Sequence, residues 1–260
     1  VFLYEDKREV IPVVESITTL EYDVTSKIKK LTSREEKSVA FTRGHGEVEL
    51  SELGEVEGSL RDRLKIEGID LKQRELPSDL QALLVIGPKE PFGEEELKKI
   101  DSFIIGGGKA GFLIDRVDVD LNTFMAKKVN TNIDTIPLCY GIKVKDGLVL
   151  DLRNQTVGLT SVRGGFIMRN FVPYPPFPIA TDFNRENPIV RELESVTLPF
   201  VSPLEGGEPL VRSSERSWWE ENPRTLDPLE GLPPPGGKET GPFPLVSVLS
   251  GRFKSLFSDR

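Results

Sequence analysis

The chain has 260 residues, 42 of them acidic against 34 basic, and a formal net charge of −8. That length can bury a sizeable core, while the acidic balance argues against a nucleic-acid surface or a polybasic membrane patch. Cys139 is the single cysteine and His45 the single histidine, which excludes an intrachain disulfide and a Cys/His zinc site. No run approaches the roughly 18 to 20 apolar residues of a membrane span. The opening VFLYEDKREV lacks the regions of a signal peptide. The start at Val1 reads as the edge of a domain cut from a longer protein.

Taken in order, Ile17, Leu20, Val24, Ile28 and Leu31 recur at helical spacing and predict an amphipathic helix. Val39-Ala40-Phe41 reads as a buried strand, followed by a glycine-flanked loop, Arg43 to Glu47. Ser51 is placed to cap a helix carrying Leu53, Val56, Leu60 and Leu64. A strand is expected over 69–76, ended by Pro77, and another over 82–86. Next comes a helix with Glu94, Glu95 and Glu96 in its first turn, where carboxylates suit the positive end of the dipole. Leu97, Ile100, Phe103 and Ile104 form its core face, Gly106 to Gly108 stop it, and a strand follows at 112–114. The β-α-β-β-α-β order, with near-continuous apolar strands, predicts an α/β fold with a mostly parallel sheet covered by helices on both faces.

Beyond this core the pattern is β-rich. A helix over 131–140 ends at Gly141, and 142–152 reads as a hairpin turning at Lys145-Asp146-Gly147. Strands are expected at 157–162, 166–172 and 195–201, with a short helix starting at Asn187-Pro188. The Pro/Gly/Glu-rich stretch 203–244, including the proline run at 233–235, reads as a long, partly disordered excursion before strand character returns at 243–253. The domain organisation is therefore an α/β core at 1–150 and a β-rich extension at 151–260 packed on it.

Gly106-x-Gly108-x-x-Gly111 matches the dinucleotide fingerprint as a string, but it closes a helix instead of opening one. It reads as a helix stop and turn. His45, just past a strand end, is a contact or loop-structuring residue, with His-based catalysis as an alternative. Cys139 lies in an apolar setting and reads as a buried core thiol. Asp115, Asp118 and Asp120 miss the spacing of a calcium loop and read as a solvated strand end. Trp218 and Trp219 either anchor a partner or sugar, or pin the excursion to the body.

Several segments together resemble the gliding-motility ABC-transporter auxiliary family (GldG-like). They are Leu20-Glu21-Tyr22 through Thr32, Gly44-His45-Gly46-Glu47, Ile86 to Phe92, Ile100-Asp101-Ser102-Phe103, Gly106-Gly107-Gly108, VPYPPFPIATDFNRENPIV and GPFPLVSVLSGRFKS. The resemblance implies a core similar to flavodoxin-like and class I glutamine amidotransferase-like folds. It also implies a periplasmic domain of a membrane-anchored protein that works beside an ABC permease and ATPase. Where the similar amidotransferases carry a nucleophile after a central strand, this chain has Asp115-Arg116, so no catalytic residue carries over.

The reading is a non-enzymatic binding or scaffold domain of an ABC-type transport system, without metal or cofactor. Its candidate contact residues are Arg43, His45, Glu47, Lys89, Glu90, Asp115, Arg116, Trp218 and Trp219. The alternatives are a carbohydrate-binding module and a hydrolase or amidotransferase using His45.

Overall fold

A computed structural model describes residues 1–11, 13, 17–32, 37–163, 166–230, 232, 236–237 and 239–258. The proline run at 233–235 lies outside the described residues. The chain divides into two compact units, 1–87 with 102–113, and 88–101 with 114–260. The division falls after residue 87, after residue 101 and after residue 113.

The first unit opens with a small antiparallel pair, β1 (Phe2–Tyr4) and β2 (Lys7–Glu9), and the amphipathic helix α1 (Ile17–Thr32). Leu31 of the apolar stripe is buried, whereas Ile17 is 86% exposed. β3 (Lys37–Thr42) follows, then a 3-10 turn (Leu50–Leu53) and α2 (Glu55–Arg61). Ser51 lies inside the 3-10 turn and is not its cap. Instead, the Glu52 carboxylate accepts from the Glu49 amide at 2.9 Å. The next strand, β4 (Leu64–Ile69), begins earlier than expected and ends where 69–76 was read as strand. Asp70 stops it: its carboxylate accepts from the Lys72 amide at 2.9 Å and its carbonyl from Gln73 N at 3.1 Å, folding the chain into a turn.

β5 (Leu80–Ile86), α3 (Glu94–Ile105) and β6 (Lys109–Leu113) complete the core pattern. The four strands form one parallel sheet in the order β4-β3-β5-β6. Val39, Phe41 and Ile66 face Leu50, Leu53 and Leu60 of the 3-10 turn and α2. On alternate positions, Ala40, Leu83 and Val85 are fully covered. Burial on both faces is why these strands read as continuous apolar runs. The division between units passes through α3, between Asp101 and Ser102.

The second unit is built from short strands. β7 (Val117–Val119) pairs with β8 (Ala126–Lys128). α4 (Thr135–Tyr140) is shorter than the expected helix and ends at Gly141. β9 (Lys143–Val144) and β10 (Leu148–Asp151) follow but do not form the expected hairpin. β10 is buried along its whole length: Leu148 and Leu150 join one cluster with Trp218, Tyr174 and Leu226, and Val149 joins another with Phe183, Leu210 and Phe243. β9 and β10 instead each take a long-range partner.

Those partners come from the Pro/Gly-rich excursion, whose described residues include strands. β11 (Asn154–Arg163) and β12 (Phe166–Ala180) make a long hairpin, and β13 (Asp182–Phe183) and β14 (Val196–Thr197) follow. β14 is only a fragment of the strand expected at 195–201. The segment from Asn187 is a run of turns and not a helix. β15 (Leu204–Glu205) pairs with β9, and β16 (Glu208–Arg212) pairs with β13 and β18 (Pro244–Val248). β17 (Ser217–Glu220) pairs with β10.

Candidate functional site

In the first unit the loop after β3 carries Arg43, His45 and Glu47. The Arg43 amide donates to the Ile69 carbonyl at 3.0 Å, and Val48 N rejoins the sheet at the Ile86 carbonyl, 3.1 Å away. Between these ties the backbone turns through positive φ at Gly44 (104°) and Gly46 (73°), conformations that a side chain opposes. The turn drives His45 inward. Its side chain is 1% exposed, its amide donates to Glu47 Oε2 at 2.6 Å, and Nδ1 lies 3.5 Å from Glu47 Oε1. A general base must reach the proton it removes, and this ring is almost wholly covered. Of the three candidates here, Arg43 is the exposed one, its stem lying against Gly68.

The second unit holds the other six candidates. Lys89 sits between Asp115 Oδ2 (3.0 Å) and Asp118 Oδ1 (3.1 Å). Burial alone would lower the Lys89 pKa, but the two carboxylates outweigh it and hold the ammonium above its usual value. Asp118 therefore binds a lysine, while Asp120 accepts from the Asn122 amide at 2.8 Å. Among the described residues no His/Cys/Asp/Glu group is arranged to hold a metal ion. Glu90 is exposed.

Arg116 is largely buried, paired with Asp134 at 3.1 Å and with Asp146 at 2.7 Å. Asp146 also takes the Lys128 ammonium, and that hydrogen bond, followed by the Arg116 guanidinium, holds its carboxyl below the ordinary value against the opposing effect of burial. Lys128 and Gly147 help line a shallow depression of about 270 Å³ with Val117, Glu221 and Arg224.

Both tryptophans are engaged by neighbours within the second unit. Trp218 is 1% exposed and packs in the cluster with Tyr174, Leu148 and Leu226. Trp219 is half-buried; its Nε1–H donates to the Asp146 carbonyl at 2.7 Å, and the Lys145 ammonium lies 3.6 Å from its ring centroid. In this arrangement Trp218 is enclosed and Trp219 is only partly exposed. Cys139 also departs from expectation. It is exposed, because α4 turns Ile136 and Pro137 inward and Leu138 and Cys139 outward.

Two acidic hubs were missed. Asp146 was hidden by its Lys-Asp-Gly turn signal. Asp101, 2% exposed, accepts from Tyr140 Oη (2.5 Å), Ser255 Oγ (2.6 Å) and the Leu256 amide (3.0 Å). An acid beside Ile100 on the core stripe of α3 was the available signal, since a buried carboxylate requires donors.

Against this geometry, the sequence matches the family described as an ABC-type uncharacterized transport system over residues 36–260. The chain belongs to that family. It is 29% identical over 282 residues to an uncharacterized protein of Borreliella burgdorferi, an alignment covering 99% of this chain and 53% of that protein. The chain thus spans about half the length of the curated relative it matches. Among solved structures it is similar to the mmIFT52 N-terminal domain, with a TM-score of 0.48 and 19% identity, covering 72% of this chain and 77% of that one. It is also similar to a glutamine amidotransferase from Thermotoga maritima, with a TM-score of 0.38 and 15% identity, covering 72% and 70%. At these scores neither likeness defines the fold of the chain. No helix among the described residues is long and apolar enough to cross a membrane.

Proposed function

We propose that this chain is the non-enzymatic, extracytoplasmic part of an auxiliary component of an ABC-type transport system, held at the membrane by other parts of the protein and acting by binding the permease and ATPase. The observation that carries this reading is the family match across residues 36–260. The site geometry supports binding over catalysis. The single histidine is enclosed with Glu47, and Lys89 and Arg116 are engaged by neighbouring carboxylates. The carbohydrate reading needs an exposed indole pair, and Trp218 is buried. Arg43 and Glu90 are exposed candidate residues for a partner; Lys89 is exposed as well but is held by Asp115 and Asp118.

The test is affinity purification of the full-length protein from detergent-solubilised native membranes, followed by mass spectrometry. Co-purification of a permease and an ATPase is the expected result. Recovery from the soluble fraction with neither subunit overturns the proposal. A gliding role is a narrower form of the reading; it predicts loss of surface spreading when the gene is deleted, and unchanged spreading removes it.

A further inference from the structure

From Leu152 to Thr181 the chain contains no Asp or Glu and three arginines, Arg153, Arg163 and Arg169. This segment carries +3 in a chain of −8, which leaves −11 on the remainder. It forms the hairpin of β11 and β12, paired from Val157↔Val172 to Arg163↔Phe166. β12 meets a third strand only at Ile179 and Ala180. Among the described residues no strand pairs with either outer edge of the ribbon between Val157 and Val172.

Both strands of the ribbon are rich in apolar residues. Val157, Leu159, Phe171 and Val172 lie in the paired stretch and are apolar. Phe171 is 68% exposed. A two-stranded ribbon is marginal in water on its own, and its open edges are rows of unpaired backbone donors and acceptors ready to meet another chain. An arm that is apolar, edge-open and cationic is complementary to an acidic protein surface.

We infer that the β11–β12 arm docks on a second copy of this chain, whose remainder supplies the opposite charge. A bilayer fits less well. Open backbone edges find no partners in hydrocarbon, and the −11 remainder is repelled by anionic headgroups. In the isologous dimer each copy gives an arm and receives one.

The mass of the 260-residue chain, measured by light scattering and sedimentation equilibrium across a concentration series, tests this inference. The expected result at low salt is twice the 29.0 kDa chain mass, shifting toward monomer as sodium chloride is raised and charges are screened. Phe171→Asp, and separately Arg163→Glu with Arg169→Glu, are expected to raise the dimer dissociation constant about tenfold or more. Arg252→Glu, exposed and outside the arm, should leave it unchanged. Circular dichroism checks that each variant is folded, and the wild-type concentration and salt series stands without any variant. A monomer at every concentration overturns the inference, as does a dimer indifferent to both arm variants. Arm-dependent sedimentation of a monomer with phosphatidylglycerol vesicles also overturns it, in favour of a lipid partner.

Discussion

Replacing Asp101 tests how the segment around Ser255 is fastened within the second unit. The carboxylate is 2% exposed and takes three donors, Tyr140 Oη and the Leu256 amide on Oδ1 and Ser255 Oγ on Oδ2. Phe253 stacks on Tyr140 with ring centroids 4.7 Å apart, so this contact adds to those that hold the segment around Ser255. A hydrogen bond to a charged group contributes about 1.5 kcal/mol at the low end of its range, and three give about 4.5 kcal/mol. Asp101→Ala also recovers part of the cost of burying the charge, and the half-buried hydroxyls rehydrate. The expected net loss is about 2 to 3 kcal/mol. Asp101→Asn keeps Oδ1 for Tyr140 and Leu256, and Ser255 Oγ can turn to accept from the new amide. It should cost about 1 kcal/mol, since neutral bonds are roughly half as strong as charge-assisted ones. Urea midpoints measure both losses, and trypsin cleavage after Lys254 reports release of the tail. Burial first, then the bond to Asp101, pushes the Tyr140 hydroxyl above its ordinary value of 10.0. A folded pKa above the unfolded one means stability that is complete below about pH 10 and lost as pH rises further. In Asp101→Asn, Tyr140 should titrate closer to pH 10 by ultraviolet absorbance. Equal losses in the two variants would refute the geometric account, and a loss under about 0.5 kcal/mol in Asp101→Ala would show that the tail is held elsewhere.

Trp218→Ala should destabilise by about 3 to 5 kcal/mol in denaturant melts, the usual cost of emptying a large aromatic site; a change under about 1 kcal/mol contradicts its place in the cluster with Tyr174 and Leu226. Lys89→Ala should cost under about 1 kcal/mol and become indistinguishable from wild type in high salt, because Asp115 and Asp118 are themselves substantially exposed. The Asp146 carboxyl is held low, foremost by Lys128, so its contribution is present above the unfolded carboxylate range and lost as pH falls through the folded value. Asp146→Asn should therefore flatten the acid limb of a stability–pH profile, and an unchanged limb counts against that linkage.

The parallel core was legible because its signals are local. Runs such as 82–86, the glutamates opening α3 and the glycines closing it each report on a few neighbouring residues. Element ends were less legible where side chains decide them, as when Asp70 stops β4 or the Glu52 carboxylate takes the capping role given to Ser51. The second unit was hardest, since its pairings are non-local. Nothing near Lys145-Asp146-Gly147 announces that β9 and β10 choose partners some sixty to seventy residues further along the chain, at Leu204 and Trp219. The candidate site suffered from the same limit. Loop position after a strand was read correctly for His45 and Lys89, but whether a charged side chain turns outward or into an ion pair depends on residues distant in sequence, as Lys89 and Asp115 illustrate.

That dependence bears on where a partner contact lies. Polar side chains near strand ends can serve a ligand only if the fold does not already use them, and here the most distinctive ones are used. His45 closes its loop onto Glu47, Arg116 joins Asp134 to Asp146, and Trp219 binds the Asp146 carbonyl while covered by Lys145. Arg43 combines exposure with a position fixed by its backbone bond to Ile69. Arg43→Glu should therefore leave the urea midpoint within about 0.5 kcal/mol of wild type, as surface changes usually do, while weakening capture of the transporter subunits by the full-length protein. Capture unaffected by Arg43→Glu would move the partner surface away from the carboxyl end of β3, and a large loss of stability would place Arg43 among the internal ties instead.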